Sequence, residues 1–219
     1  MDSVAGLPGS VIRHYLAGGF VMHPITVCSL VAIATIAYKL LVFRRVRRGG
    51  AGLALRVRAL LLEGRIAEAV ESCRSQGGPV GLVLRAGLVK QGASRDEIES
   101  AMESVAVGEL SHLERYQGLL AGIVGFAPLL GFFGTVVAMI GAFEGIGEQG
   151  LVHPGLVGAG ISTSLHATAW GLLVALVTKP FHAWFEARTA ACARDLEIVS
   201  SILLETLQEV ARMGTAVPR

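Results

Sequence analysis

The residues best placed to do chemistry in this sequence are hydroxyls set among glycines and alanines. Between Tyr116 and Phe143, the small residues Ala127, Gly131, Thr135, Ala138 and Ala142 recur at helical spacing, which puts them on one face of a helix. Between Gln149 and Thr178, Gly160, Ser164, Thr168, Gly171 and Ala175 do the same. Two readings of these faces stay open. Small residues let helix backbones approach closely in lipid, with Ser and Thr hydroxyls bonding across the contact, so the two faces pack together. Alternatively, Thr135 and Thr168 present their hydroxyls to a hydrated path or a central helix. An oligomer accommodates both.

One titratable side chain lies deep in these stretches. His166 is two residues from Thr168, about 200° around a helix, so it points away from the small face, on a side shared with Thr163 and Trp170. An intramembrane His suggests function; the structural alternative is a ring bonded to a neighbouring helix's backbone. Neither stretch contains Asp or Glu, although an ion or proton relay ordinarily uses an ionisable group at membrane depth. A proton path through this chain would therefore draw its carboxylate from a partner. Ser162 lies one helical turn from His166, but no carboxylate is there to orient a nucleophile–base pair. That disfavours an intramembrane enzyme. Cys28, Cys73 and Cys192 lack metal-ligand spacing and read as free thiols, and no glycine-rich phosphate loop appears. We expect no metal, no cofactor and, at a net charge of +2, no nucleic-acid partner.

The elements that position these residues follow from where charge is missing. The chain has 219 residues, 53% hydrophobic and only 16% charged, with a mean hydropathy of +0.60; ordinary soluble domains are about 25% charged. Three stretches lack Asp, Glu, Lys and Arg altogether: His14 to Tyr38, Tyr116 to Phe143 and Gln149 to Thr178. Each exceeds the ~20 residues a helix needs to cross a bilayer. This excludes a soluble enzyme with a conventional core and predicts an all-α integral membrane protein. Its three transmembrane helices, at 21–43, 118–143 and 156–178, carry long helical cytoplasmic extensions.

Charge also sets the expected orientation. Arg44, Arg45, Arg47 and Arg48 follow the first span directly, whereas Glu144 to Pro154 contains no Lys or Arg. Basic residues near span ends stay cytoplasmic. The expected order is a periplasmic segment 1–20, a helical cytoplasmic domain 44–117, a periplasmic loop 144–155 and a cytoplasmic helical tail 179–219. The start of the chain lacks the basic region of a cleaved signal peptide, so the first span is expected to be retained. Lys39 is expected to snorkel toward the basic side. In the domain, Gly64, Gly77-Gly78-Pro79 and Gly92 separate short helices, and Ser94 with Glu97 forms a capping box. In the tail, Leu196, Val199, Leu203, Leu207 and Val210 make one apolar stripe. The third span is expected to continue into that tail helix; a break at Pro180 is the alternative.

With these residues in hand, the sequence resembles the MotA/TolQ/ExbB proton-channel family. The likeness rests on Ala127-Pro128-Leu129-Leu130-Gly131 with Gly134-Thr135-Val136, and on Gly160-Ile161-Ser162-Thr163-Ser164-Leu165 with Ala167-Thr168-Ala169 and Gly171-Leu172. Gly18-Gly19, Met22-His23-Pro24-Ile25, Cys73 and Pro79 fit more loosely, so the likeness covers nearly the whole chain. Size and three spans look more like ExbB or TolQ than four-span MotA.

The resemblance implies a homo-oligomer, a pentamer, in the bacterial inner membrane with its N-terminus periplasmic. The ring would enclose two copies of a single-span ExbD/TolR-like partner bearing a membrane Asp. Proton flow would drive a TonB/TolA-like periplasm-spanning protein. Thr135 and Thr168 match the family's channel-lining threonines. Ser164, Thr163 and His166 are candidates for pathway or packing, and Pro128, Gly131, Gly134, Gly160 and Gly171 for close helix packing. The chain departs from many ExbB-like members in carrying Thr163 in place of Glu, and in His166. A non-conducting scaffold using the same small faces only for packing is the competing expectation. A lone transporter is disfavoured, because three spans are few without oligomerisation.

Overall fold

The computed structural model describes Tyr15 and residues 18–45, 50–149 and 154–212. Among the described residues there are seven α-helices and no strand. They are α1 (Met22–Arg45), α2 (Gly50–Leu62), α3 (Ile66–Gln76), α4 (Gly78–Val89), α5 (Arg95–Glu114), α6 (Gln117–Gln149) and α7 (Pro154–Arg212). The chain is an all-α membrane protein: α1 and the apolar parts of α6 and α7 are long and apolar enough to cross a bilayer. With 12 residues, α4 is apolar but too short to span.

The helices α6 and α7 are longer than the expected spans. The first runs on to Gln149, several residues into the stretch expected as a loop. The second is a single helix of 59 residues that passes through Pro180 without ending. Proline removes one backbone donor, and the helix continues on both sides of it.

The chain divides into two compact units. The span unit comprises the residues up to Tyr38 together with Tyr116–Trp184. Here α1, α6 and α7 meet through small residues. A methyl added at Gly134 would lie 2.7 Å from Ala167 Cβ and 3.3 Å from Val21 Cγ1, so the start of α1 packs where α6 and α7 touch. Large apolar side chains on α6, including Phe126, Leu129, Phe133, Val136 and Ile140, remain exposed.

The helical unit comprises Lys39–Arg115 and the chain from Phe185 onward. The helices α2 to α5 and the end of α7 enclose a core that includes Leu53, Val57, Leu84, Leu88, Met102 and Leu203. Leu196, Val199, Leu203 and Val210 of the tail stripe are buried there, with Leu207 packed against them. The turn between α3 and α4 needs glycine: Gly77 and Gly78 both have positive φ, 63° and 73°. At the start of α5, Ser94 Oγ accepts from the Glu97 N–H and the Glu97 carboxylate accepts from the Ser94 N–H, a complete capping box.

Lys39 departs from its expected role. It does not snorkel: its side chain is 2% exposed, and Nζ donates to the Leu113 and Arg115 carbonyls at 2.8 and 3.2 Å. The ammonium also lies over the stacked rings of Phe43 and Phe185, 5.7 and 5.4 Å from their centroids. The last carbonyls of α5 have no partner within their helix, and the negative end of its dipole favours a cation. This explains why a lone lysine is held inside.

Candidate functional site

The small faces of α6 and α7 face each other within one chain. A Cβ on Gly171 would lie 2.5 Å from the Ala127 carbonyl oxygen and 3.0 Å from Gly131 Cα. At Gly131 it would meet the Ala167 oxygen and Thr168 Cα, each at 3.0 Å. At Gly160 it would come within 2.5 Å of Ala142 Cβ. Along this seam a methyl would clash at Gly160 and Gly171 and fit only tightly at Gly131. At Gly131 and Gly171 the contact is backbone against backbone, the arrangement small residues permit in lipid.

Thr168 sits on the seam. Its Oγ1 donates across it to the Gly131 carbonyl at 3.2 Å. Thr135, one turn beyond Gly131, turns its hydroxyl back to its own helix and donates to the Phe132 carbonyl at 2.6 Å. Both threonines are half-buried. Ser164 is buried, 6% exposed, and donates to the Ile161 carbonyl at 2.7 Å. In each case the proton is spent on a backbone carbonyl, while the hydroxyl oxygen can still accept.

The remaining candidates lie elsewhere on α6 and α7. His166 Nδ1 is 2.7 Å from the Ser162 carbonyl. A carbonyl can only accept, so Nδ1 carries a proton. This bond is to its own helix. The Thr163 methyl lies 3.5 Å from where a Cβ would stand on Gly19, whose φ of 69° suits glycine. Pro128 lies inside α6, in the turn facing Gly171 through the Ala127 carbonyl. The packing glycines and Thr168 thus come together, Ser164 lies a turn away on α7, and Thr163 meets the start of the chain at Gly19.

Sequence reasoning missed two contributors. The Ala127 and Gly131 carbonyls do as much at the seam as any side chain, and no sequence pattern announces a carbonyl. Lys39 was legible only as a single charge inside an apolar run. Among the described residues no group of three or more His, Cys, Asp or Glu could hold a metal ion.

The seam lies inside a region of recognised kinship. Residues 76–198 match the MotA/TolQ/ExbB proton channel family, which takes in α4, α5, α6 and most of α7; the chain belongs to that family. Over its whole length it is 27% identical to a biopolymer transport protein ExbB homolog of Methanothermobacter thermautotrophicus, covering 75% of that protein. It is 28% identical over 168 residues to the biopolymer transport protein ExbB-like 3 of Synechocystis, which covers 76% of this chain and 80% of the relative. A shorter match of 71 residues is 38% identical to the biopolymer transport protein ExbB of Salmonella typhimurium, covering 32% of this chain and 28% of that one.

Proposed function

We propose that this chain is the channel-forming subunit of an energy-transducing complex in the bacterial inner membrane, driven by the proton-motive force. Several copies, five by the family resemblance, surround the membrane helices of a single-span ExbD/TolR-like partner that brings the membrane Asp. Proton passage then powers a TonB/TolA-like protein spanning the periplasm. The N-terminus lies in the periplasm, and the helical unit and tail lie in the cytoplasm. The observation that carries this reading is the match of residues 76–198 to a proton channel family, a stretch that holds both threonine-bearing faces.

The chemistry assigned to the site is modest and specific. Thr135 and Thr168 each donate to a backbone carbonyl, so their oxygens are left as acceptors. An acceptor at that depth suits a protonated carboxyl or a water on its way across. The chain has no Asp or Glu in its charge-free stretches, so it lines and orients the path while the partner's carboxylate carries the proton. No catalytic residue is assigned.

A non-conducting scaffold is the second reading, and one observation favours it: the Thr168 hydroxyl is already used to join α6 to α7. The two readings separate by substitution. Thr168→Val and Thr135→Val are compared with Thr168→Ser in proteoliposomes holding the chain and its single-span partner, with assembly checked by native mass spectrometry. Under the channel reading, both Val variants assemble but lose proton flux, and Thr168→Ser retains it. Full flux in assembled Val variants would leave these threonines as packing residues and put the scaffold ahead. His166→Ala in the same assay assigns His166 to the path if flux falls and to structure if it persists.

A further inference from the structure

Among the described residues, two surfaces of the helical unit are left uncovered, and they complement each other. The first is a groove of about 520 Å³ between α5 and α7. Met102, Leu110, Leu196 and Leu204 make it apolar, and Glu99, Glu103, Glu197 and Glu205 line it with carboxylates. Arg95 lies 3.9 Å from Glu99. Among the described residues, Glu103, Glu197 and Glu205 make no ion pair within 4.0 Å. Three uncompensated carboxylates beside an apolar trough favour a basic, apolar occupant.

The second surface is the outer face of α4. This helix carries a single charged residue, Arg85, and is otherwise apolar. Val83, Leu84 and Leu88 are buried in the core. On the other side Leu82 (40% exposed), the half-buried Ala86 and Val89 (67% exposed) form a stripe at i, i+4 and i+7. Arg85 on that side and Lys90 at the helix end are exposed and unpaired among the described residues. An exposed apolar stripe on a helix whose other face is already buried is a surface that a partner can cover.

The geometry points to a head-to-tail contact between copies of this chain. In it, the outer face of α4 in one copy seats in the α5–α7 groove of the next, with Arg85 and Lys90 against Glu103, Glu197 and Glu205. Unlike surfaces that meet in this way propagate from copy to copy and close into a ring when the rotation allows. An anionic membrane surface is the other claimant for a basic apolar stripe, but it leaves the acidic groove unexplained. A second copy accounts for both surfaces. This inference rests on the multi-subunit reading above and adds the surfaces that join the subunits.

The test uses the full chain with Cys28, Cys73 and Cys192 replaced by Ala. Val89→Cys and Glu103→Cys are introduced singly and together, and a bismaleimide joins neighbouring thiols by addition, with no redox step. The contact predicts a ladder of covalent multimers from the doubly substituted chain. It predicts dimers from a mixture of the two single variants, and at least ten-fold less product from either single variant alone. Arg85→Glu with Lys90→Glu in the doubly substituted chain should remove the ladder, and adding Glu197→Lys and Glu205→Lys should restore it. Native mass spectrometry of the same preparations separates the failures. A multimer without a ladder overturns this contact and leaves the ring reading standing, whereas a monomer overturns both. Protection of Val89→Cys from labelling by anionic vesicles, with no ladder, would assign α4 to the lipid surface instead.

Discussion

Gly171→Ala is the sharpest test of the seam. The added methyl would stand 2.5 Å from the Ala127 carbonyl oxygen, 3.0 Å from Gly131 Cα and 3.1 Å from Gly131 N, and ordinary contacts begin at 3.4 Å. The difference, 3.4 less 2.5, is about 0.9 Å. All three neighbours are backbone, so no side chain can swing aside, and α6 and α7 must separate. Overpacking of this kind costs about 1 to 3 kcal/mol. Separation also stretches the 3.2 Å bond from Thr168 to the Gly131 carbonyl, worth about 0.6 kcal/mol in a membrane bundle. Alanine's better helix propensity works the other way, by about 1 kcal/mol. Gly125→Ala in α6 removes that term from the comparison, because nothing lies within 4 Å of its added Cβ. The two variants should therefore differ by about 1.6 to 3.6 kcal/mol, or about 3 to 14 °C in Tm for a chain of this size. The assay is thermal unfolding in detergent followed by the fluorescence of Trp170 and Trp184, both on α7. Equal Tm values for Gly171→Ala and Gly125→Ala would refute the close backbone contact.

Further outcomes are expected at three residues. Lys39→Met keeps the apolar stem but removes both bonds to the carbonyls of Leu113 and Arg115 at the end of α5. Hydrogen bonds from a charged donor contribute about 1.5 to 3 kcal/mol, so amide exchange in the last turn of α5 should quicken at least about ten-fold; unchanged exchange would show that Lys39 does not cap this helix. Burial pushes the Cys73 thiol up to about 11, so in the folded protein at pH 8 it should resist iodoacetamide and react only after denaturation. The same shift makes stability fall as pH rises from about 8.5, where the unfolded thiol ionises, toward that value, and a Cys73→Ala variant should lose this alkaline dependence. Ser94→Ala breaks the capping box at a cost of about 1 kcal/mol, and Ser94→Gly costs only a few tenths. Chemical denaturation of the two variants should reproduce that order.

Much of the architecture could be read before any coordinates. A bilayer helix announces itself by composition, because each charge in the hydrocarbon is costly and each backbone polar group must be satisfied locally. The charge-free stretches therefore mark the apolar parts of α1, α6 and α7. Ser94 with Glu97 was equally plain, since a capping box is closed by residues three apart. The tail stripe from Leu196 to Val210 is likewise a periodicity within one helix, and burial of one face is the usual consequence. All of these are local relations, and local relations are written in spacing.

The tertiary structure decided which faces meet. Two small stripes on separate helices are compatible with packing on each other, on another subunit or around a partner helix, because the spacing is the same in every case. Coordinates place Gly171 against the Ala127 carbonyl and send the Thr168 proton to Gly131, 37 residues away. Lys39 illustrates the same point with charge. The sequence offered the bilayer interface as its only visible destination, but the carbonyl of Leu113, 74 residues on, takes its proton. A carbonyl is present at every residue, so its identity carries no signal; only the fold determines which of them a long side chain can reach.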